Sequence, residues 1–522
     1  MIDYSRRIDA LSPGQLKLLK MRLEKEGIDL NIETGIKDAE DNKDIYASLN
    51  PVEKKDYYSL SSVQKRLFTL NRLEGAGTIY NVSWIRIIEG KLDKNRLEEM
   101  FKILVKRHES FRTSFESLEG EPVQRIHDNV EFEVEYYDAQ GTAPGEKGNG
   151  GLHANIIKNF IRPFALSNAP LLRAGLVKLS NDSHILIYDM HHIMSDMTSK
   201  KILIDEFIRL YKGERLHELK VQYKDFCQWW NNERVKAAVK RQEKYWLQEF
   251  SGEIPVLNLP TDYPRPGNKR FEGASLSFTI DRKEAAVLRT LASQENTTLF
   301  AIVLSIYNVF LAKLGRQEDI IVGIPIVGRR HSDLDNVIGM FVNTLVLRNY
   351  PSGGITFVDF LNRVKQRTID SFDNQDYPFE DLVNHVVKTR DTGRNPIFDV
   401  FFSFAYPNVK IDGVQQEDLQ DDGASVSDLH LKVKPYAGES SLSMFDMYLF
   451  GLSAREEISL GIVYSTQLFK KETIERFAGY FKEIVSAIVA NNKIKLEEIK
   501  ISHDLGTAKS SLFQDDDSGF EF

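Results

Sequence analysis

The amino-acid sequence predicts an α/β protein built from two lobes. The chain has 522 residues, which is more than one compact core usually holds. A strand followed by an amphipathic helix occurs in the first half and again in the second half. Hydrophobic residues make up 42% of the chain and charged residues 28%, the balance of a globular protein with a large core.

The first strand and helix unit lies between residues 82 and 105. Residues 82–88 have the composition of a strand. Asp93 is placed to cap a helix, and Leu92 and Leu97 can staple its first turn. We expect the buried face of this helix to consist of Leu97, Met100, Phe101, Leu104 and Val105.

The second unit begins with an alternating strand at residues 274–280. Asp281 and Glu284 then form the pattern of a capping box at the start of a helix. An apolar helix over residues 298–314, ended by Gly315, and an apolar strand over residues 319–325 follow. The second half therefore has its own buried centre, and we place the boundary between the halves near residues 231–249.

The sequence pattern divides the chain into four segments. Residues 1–50 contain a short helix capped by Ser12 and a polar linker, and they form a possible docking segment. Residues 51–235 form the first lobe and residues 236–503 the second, while residues 504–522 are an acidic tail or tether. The glycine-rich stretch 145–151 lacks the strand and the lysine of a nucleotide-binding loop, which indicates a surface loop.

Charge and composition exclude several classes of function. The net charge is −8, which argues against a general electrostatic grip on nucleic acid. The sequence lacks both a long apolar stretch and a signal peptide, so we expect a cytoplasmic monomer that does not enter a membrane. Cys227 is the only cysteine, which excludes disulfides within the chain and a thiolate metal cluster.

The strongest chemical signal follows an apolar strand at residues 184–190. His191 and His192 stand at its end, and the carboxylate of Asp196 comes four positions after His192. Successive side chains of a strand point to opposite faces, so we expect only one histidine to face a cavity. The spacing is poor for a metal, and Ser195 lacks the sequence context of an activated nucleophile. The block therefore favours acid–base chemistry by an imidazole.

The block resembles the active-site signature of condensation domains of nonribosomal peptide synthetases: two histidines, three variable residues and an aspartate. Six further blocks of that family are matched in the family's order. They lie at residues 60–70, 107–115, 223–229, 338–345, 374–380 and 390–398. The resemblance covers roughly residues 57–500.

The resemblance implies two lobes like chloramphenicol acetyltransferase, arranged in a V with an active-site tunnel between them. Donor and acceptor carrier proteins would dock at the two mouths of the tunnel, beside neighbouring synthetase domains. Phosphopantetheine would come from these carriers, and the chain itself would bind no cofactor or metal. The acceptor amine would attack the donor thioester and form an amide. The general likeness is to domains that join two L-configured residues.

The resemblance also implies roles for individual residues. His192 is the expected catalytic residue, either as a base or as a group that positions the amine. His191 is expected to pack and to orient the loop. Asp196 is expected to be structural and to meet a buried arginine, for which Arg107 and Arg112 are the candidates, because an unpaired buried carboxylate is costly.

Two further residues are expected to line the tunnel. Asn343 is a candidate hydrogen-bond partner of the acceptor, although a strand-end turn is an alternative. Met197 stands where the family usually has glycine after the aspartate, so it either narrows the tunnel or lies in the first turn of a helix. Because of Met197, a non-catalytic scaffold that docks carrier proteins is an alternative function. A domain that forms esters is another alternative. Tyr223, Asp225 and Trp229 are expected to fix the junction between the lobes.

Overall fold

The computed structural model describes residues 49–73, 77–140, 152–267, 271–388, 391–405, 431–436, 442–453 and 456–502. The predicted N-terminal helix, the glycine-rich loop 145–151 and the acidic tail lie outside these ranges. The described strands form three sheets, of five, three and six strands. Helices cover the two larger sheets, so the chain has the mixed α/β architecture that the sequence predicts.

The five-stranded sheet has the order β12-β2-β7-β6-β5. Only β5 and β6 pair in parallel; the other neighbours are antiparallel. The three-stranded sheet, β1-β4-β3, is antiparallel. Their strands are β1 (Tyr58–Ser59), β2 (Asn81–Glu89), β3 (Thr113–Leu118), β4 (Glu121–Ile126), β5 (Val134–Asp138), β6 (Leu172–Ser180), β7 (Ser183–His191) and β12 (Lys432–Pro435).

The six-stranded sheet has the order β10-β9-β11-β13-β14-β8. Its central strand β11 is parallel to both of its neighbours, and the outer pairs are antiparallel. Its strands are β8 (Gly273–Ile280), β9 (Ile320–Ile326), β10 (Asn343–Asn349), β11 (Val400–Ala405), β13 (Met447–Ser453) and β14 (Ile458–Ser465).

The helices of the first half are α1 (Ser62–Leu73), α2 (Lys94–Arg107), α3 (Leu152–Phe160), α4 (Met197–Tyr211), α5 (Tyr223–Trp230) and α6 (Glu233–Glu249). Those of the second half are α7 (Arg282–Gln294), α8 (Leu299–Gly315), α9 (Phe357–Asp373), α10 (Phe379–Val386) and α11 (Lys471–Ala490). Short 3₁₀ turns connect several of these elements, and one of them carries the second histidine of the signature.

The local predictions for both strand and helix units are largely confirmed. Asp93 caps α2 by accepting hydrogen bonds from the backbone of Asn95 and Arg96, and the five predicted residues form its buried face. Asp281 caps α7 in the same way, but the predicted reciprocal bond from Asp281 N–H to the Glu284 carboxylate is not formed, and this carboxylate accepts from Ser486 Oγ instead. Thr298 caps α8, whose apolar side chains are almost all buried.

Two segments of the predicted second lobe pack with the first. Strand β12 pairs with β2 and so extends the five-stranded sheet. Apolar side chains of the stretch between β9 and β10 join the core of the first lobe: Leu334, Val337, Ile338, Met340 and Phe341. A division of the chain at residue 235 therefore does not describe how these two segments pack.

Among the described residues, no single helix has the length and hydropathy needed to cross a membrane. Helices α7 and α8 meet the length and composition criteria only as a pair, and they are bent by 110° relative to each other. Most side chains of α8 are buried in the protein, as in the core helix of a globular lobe.

Candidate active site

The signature histidines lie where β7 leaves the five-stranded sheet. His191 is the last residue of β7 and pairs in register with Asn81 of β2. A single 3₁₀ turn, His192–Met194, follows at once. The backbone N–H of His192 donates to Tyr80 O at 2.7 Å, just before β2, so the edge of the sheet fixes the start of the turn.

The His192 ring is held in one tautomer by its own loop. Nδ1 lies 2.6 Å from the carbonyl oxygen of Ser195, which can only accept a hydrogen bond. Nδ1 therefore carries the proton, and Nε2 of the neutral ring keeps a free lone pair. The side chain is partly exposed, in contrast to the buried residues on both sides of it. This arrangement gives an oriented proton acceptor on a partly exposed side chain.

His191 is buried, with 1% of its surface exposed. Its Nδ1 accepts a hydrogen bond from the backbone N–H of Ile193 at 3.0 Å and so caps the 3₁₀ turn. Burial lowers the pKa of His191 to about 3, and the neighbouring His192 adds to this effect. His191 is thus neutral near pH 7, and its contacts agree with the predicted role of packing and orienting the loop.

Because the pKa of His191 is depressed, the residue makes stability depend on pH. The unfolded chain binds a proton near pH 6.5, whereas the folded chain resists protonation down to about pH 3. The stability is therefore fully present above pH 6.5 and is lost as the pH falls toward 3. In His191→Asn, which keeps an acceptor for Ile193 N–H, we expect the loss between pH 6.5 and 4 to be smaller by about 3 kcal/mol.

Urea unfolding of both proteins at several pH values measures this difference. Asp189, whose pKa burial raises to about 6, acts in the opposite direction, but it is present in both proteins and cancels. Parallel stability curves for the two proteins would show that His191 takes up its proton at the same pH in the folded and the unfolded chain, and would contradict the lowered pKa.

Asp196 is buried and structural, as predicted, but its predicted partners are wrong. Its carboxylate pairs with both terminal nitrogens of Arg329, at 2.8 Å and 3.1 Å. It also accepts from Ser199 N–H at 2.6 Å, which caps α4, and from Phe341 N–H at 3.1 Å. Arg329 stacks over the Phe341 ring at 4.2 Å. Asp196 thus joins the loop of residues 191–196, called the catalytic loop below, to the segment between β9 and β10.

The two arginines proposed as partners have other contacts. Arg107 forms a two-pronged ion pair with Glu206 of α4, which also contacts the buried His108 at 2.7 Å. Arg112 donates to backbone carbonyls, among them Val105 O at 3.1 Å. Both stabilise the packing of α2 and its C-terminal turn, and neither reaches Asp196.

Met197 is the first residue of α4, directly after the capping residue Asp196. Its φ is not positive, so the backbone here makes no demand for glycine. The interpretation that places Met197 in a helical first turn is therefore confirmed. Its side chain is partly exposed.

Asn343 lies on the wall of an open cleft between the two lobes, whose lining includes Ser61 of the first lobe and Asp376 of the second. Its amide donates to Gln375 O at 3.0 Å and Tyr377 O at 2.9 Å. Its oxygen accepts from Thr344 N–H and Phe379 N–H. Since both donors and the acceptor are used within the protein, the expected hydrogen bond to an acceptor substrate is not available, and the strand-end alternative is correct.

Tyr223 fixes the junction between the lobes as predicted, whereas the hydrogen bonds of Asp225 stay within the first lobe. The Tyr223 hydroxyl donates to Met340 O, and its ring packs at 4.7 Å, edge to face, against Phe341. A Cβ on Gly339 would lie 1.9 Å from the Tyr223 ring, so only glycine permits this contact. Asp225 accepts from Val52 N–H at 2.9 Å. The contacts of Tyr223 connect α5 to the segment that carries Arg329 and Phe341.

Sequence reasoning missed Arg329, whose side chain is 2% exposed. It follows β9 and lies outside every matched block, so no local pattern marks it. Among the described residues there is no group of three or more histidine, cysteine, aspartate or glutamate side chains that could hold a metal ion.

Comparison with known proteins identifies the family. The sequence model of the condensation domain matches residues 54–509. Gramicidin S synthase 2 of Brevibacillus brevis is 46% identical over 457 residues, which are 87% of this chain and 10% of that synthase. Surfactin synthase subunit 1 of Bacillus subtilis is 41% identical over 468 residues, or 90% of this chain and 12% of that subunit. The chain thus spans about a tenth of the length of these relatives.

The fold also resembles that of a solved synthetase structure. The crystal structure of holo-AB3403, a four-domain nonribosomal peptide synthetase bound to AMP and glycine, superimposes with a TM-score of 0.74 and 21% identity. The superposition covers 87% of this chain and 34% of that one. The predicted two-lobe α/β fold is confirmed. With the signature histidines at the end of β7 and the family model matched from residue 54 to residue 509, the chain belongs to the condensation domain family.

Proposed function

We propose that this domain forms an amide bond between a donor acyl or peptidyl thioester and the amine of an acceptor aminoacyl thioester. The observation that carries the proposal is the tautomer of His192. Its Nδ1–H donates to Ser195 O at 2.6 Å, which leaves Nε2 as the acceptor. The α-ammonium group of the acceptor has an ordinary pKa near 8, and the neutral amine that it forms must lose one further proton to become an amide. An oriented neutral imidazole is suited to accept it.

The reaction follows from this geometry. The acceptor nitrogen attacks the thioester carbon, the C–N bond forms, and a proton passes from nitrogen to His192 Nε2. The C–S bond then breaks, and the departing thiolate takes up a proton. Met197 in the first turn of α4 leaves the loop geometry intact, which supports an active enzyme over a docking scaffold.

Both substrates are proposed to arrive on the phosphopantetheine arms of donor and acceptor carrier proteins, beside neighbouring synthetase domains. Relatives in which this domain is about a tenth of the chain support this proposal. We also propose L-configured residues on both sides and a cytoplasmic monomer that binds neither nucleic acid nor membranes. The net charge of −8 supports the exclusion of nucleic acid.

The test is a transfer assay between two carriers, read by intact-protein mass spectrometry. We expect the wild-type domain to lengthen the acyl chain on an aminoacyl acceptor carrier. A hydroxyacyl acceptor should give much less product, and L-configured donors should exceed D-configured ones. Met197→Gly should change the rate by less than about threefold, because the backbone at this position is ordinary.

Each alternative function has its own outcome. Carrier binding without transfer, over a range of donors, would favour the scaffold. Preferred transfer to the hydroxyacyl acceptor would favour a domain that forms esters. A large gain in rate for Met197→Gly would show that the methionine side chain obstructs the site.

A further inference from the structure

The first of the matched family blocks, residues 60–70, lies mostly on α1. One of its side chains reaches the catalytic loop. Gln64 is 1% exposed. Its Oε1 accepts from Ser61 N–H at 3.2 Å, and Ser61 Oγ accepts from Gln64 N–H at 3.2 Å. This reciprocal pair is a capping box at the start of α1. Because Oε1 faces Ser61 N–H, the amide nitrogen must point the other way.

The amide nitrogen of Gln64 donates to Ile193 O at 3.1 Å, across 129 residues of sequence. Ile193 directly follows His192 within the 3₁₀ turn. The other described hydrogen bonds of residues 192–194 come from the loop itself or from the adjacent strand edge. Ile193 N–H donates to His191 Nδ1, His192 N–H to Tyr80 O, His192 Nδ1–H to Ser195 O, and Ser195 N–H to His192 O. A second side chain of α1, Asn71, lies 3.4 Å from His191 Nε2. Gln64 thus connects the turn to a separate helix.

The capping role alone does not explain this contact. A capping box needs only an acceptor at its third helical residue, and glutamate serves it as well as glutamine. The Gln64 amide nitrogen is not used by the cap and is directed at the peptide next to His192. Helix α1 is itself fixed to the second lobe, because Arg66 pairs with Glu380 of α10 at 3.0 Å. A donor on α1 therefore holds the turn relative to both lobes.

We propose that Gln64 is a positioning residue for His192. Its donated hydrogen bond fixes the peptide that follows His192, and so keeps the Nδ1–H bond to Ser195 O and the direction of Nε2. The inference rests on the proposed function, since it assigns to Gln64 the alignment of the group that accepts the proton. Small displacements of a catalytic group cost rate without changing substrate binding.

Three variants test the proposal in the transfer assay. Gln64→Met keeps the length of the side chain but neither donates nor accepts, and we expect kcat to fall about tenfold or more while KM stays within about twofold. Asp281→Ala removes the cap of α7, far from the loop, and is the control for a purely structural loss. It should lower Tm and leave kcat unchanged. A Gln64→Met protein with lowered Tm and full kcat would overturn the proposal.

Gln64→Glu provides a signature that a structural role would not give. It keeps an acceptor for Ser61 N–H, and it donates to Ile193 O only when its carboxyl is protonated. Burial raises the pKa of a carboxyl, so its rate relative to wild type should rise as the pH falls from 8 to 6. The other titratable side chains near residue 64 are Cys227, Tyr223 and His191. Burial keeps all three neutral across this pH range. If the rate of Gln64→Glu relative to wild type does not change between pH 8 and pH 6, the proposal is contradicted, even if Gln64→Met does not fold.

A readout without activity separates this inference from the proposed function. If the wild-type domain does not transfer at all, the proposed function fails. In histidine-labelled protein, the Nδ1–H signal of His192 should then still be lost or broadened in Gln64→Met and kept in Asp281→Ala. Unchanged His192 signals in Gln64→Met would overturn the positioning role.

Discussion

His192→Ala is expected to lower kcat by about 10² to 10³, because the variant loses the group that accepts the proton of the attacking amine. The remaining rate should rise with pH as the free amine fraction increases, since the amine must then lose its proton to water. The transfer assay at several pH values measures both effects. His217→Ala, at an exposed histidine outside the site, is the matched control and should keep the wild-type rate.

His192→Gln separates a base from a positioning group. Glutamine can hold the amine through a hydrogen bond, but it cannot take a proton. The fixed tautomer, with Nδ1–H bound to Ser195 O at 2.6 Å, leads us to expect that glutamine loses as much rate as alanine. A glutamine variant with more than about half of the wild-type kcat would instead assign His192 a positioning role, because an activated thioester needs little further help.

The parts of the fold that depend on local sequence could be predicted. Asp93 and the helix that it caps are examples, because a cap joins atoms two or three residues apart. The apolar helix α8 and the strand β7 were visible from composition alone. Strand β12 was not, since four residues carry almost no pattern and their pairing with β2 depends on the path of the whole second lobe.

In the candidate active site, too, local features could be predicted from the sequence and contacts between distant residues could not. The position of His192 at a strand end follows from local sequence, whereas its tautomer depends on the turn geometry that brings Ser195 O to Nδ1. Asn343 lies on a cleft, but the two hydrogen bonds that its amide donates run to residues more than 30 positions away. Sequence shows that Asp196 needs a cation, yet it does not show which one. Arg329, 133 residues away, was outside any local pattern.

The Asp196–Arg329 pair is expected to give the largest effect on stability. Both side chains are almost fully buried, at 0% and 2% exposure. Arg329→Met leaves a buried carboxylate without its counter-ion and should lower the free energy of unfolding by about 3 to 5 kcal/mol. Urea denaturation measures the change. Lys54→Met is the control, because its pair with Asp128 is exposed and screened by solvent, so its loss should leave the urea midpoint almost unchanged.

The double variant Asp196→Asn with Arg329→Met tests the cause. Asparagine caps helices about as well as aspartate, so the bond from Ser199 N–H to residue 196 should survive while the unpaired charge disappears. We therefore expect the double variant to be more stable than Arg329→Met alone. If the two are equally unstable, the loss comes from the packing of the arginine against Phe341 rather than from the buried charge. If Arg329→Met is no less stable than Lys54→Met, the pair does not hold the catalytic loop in place.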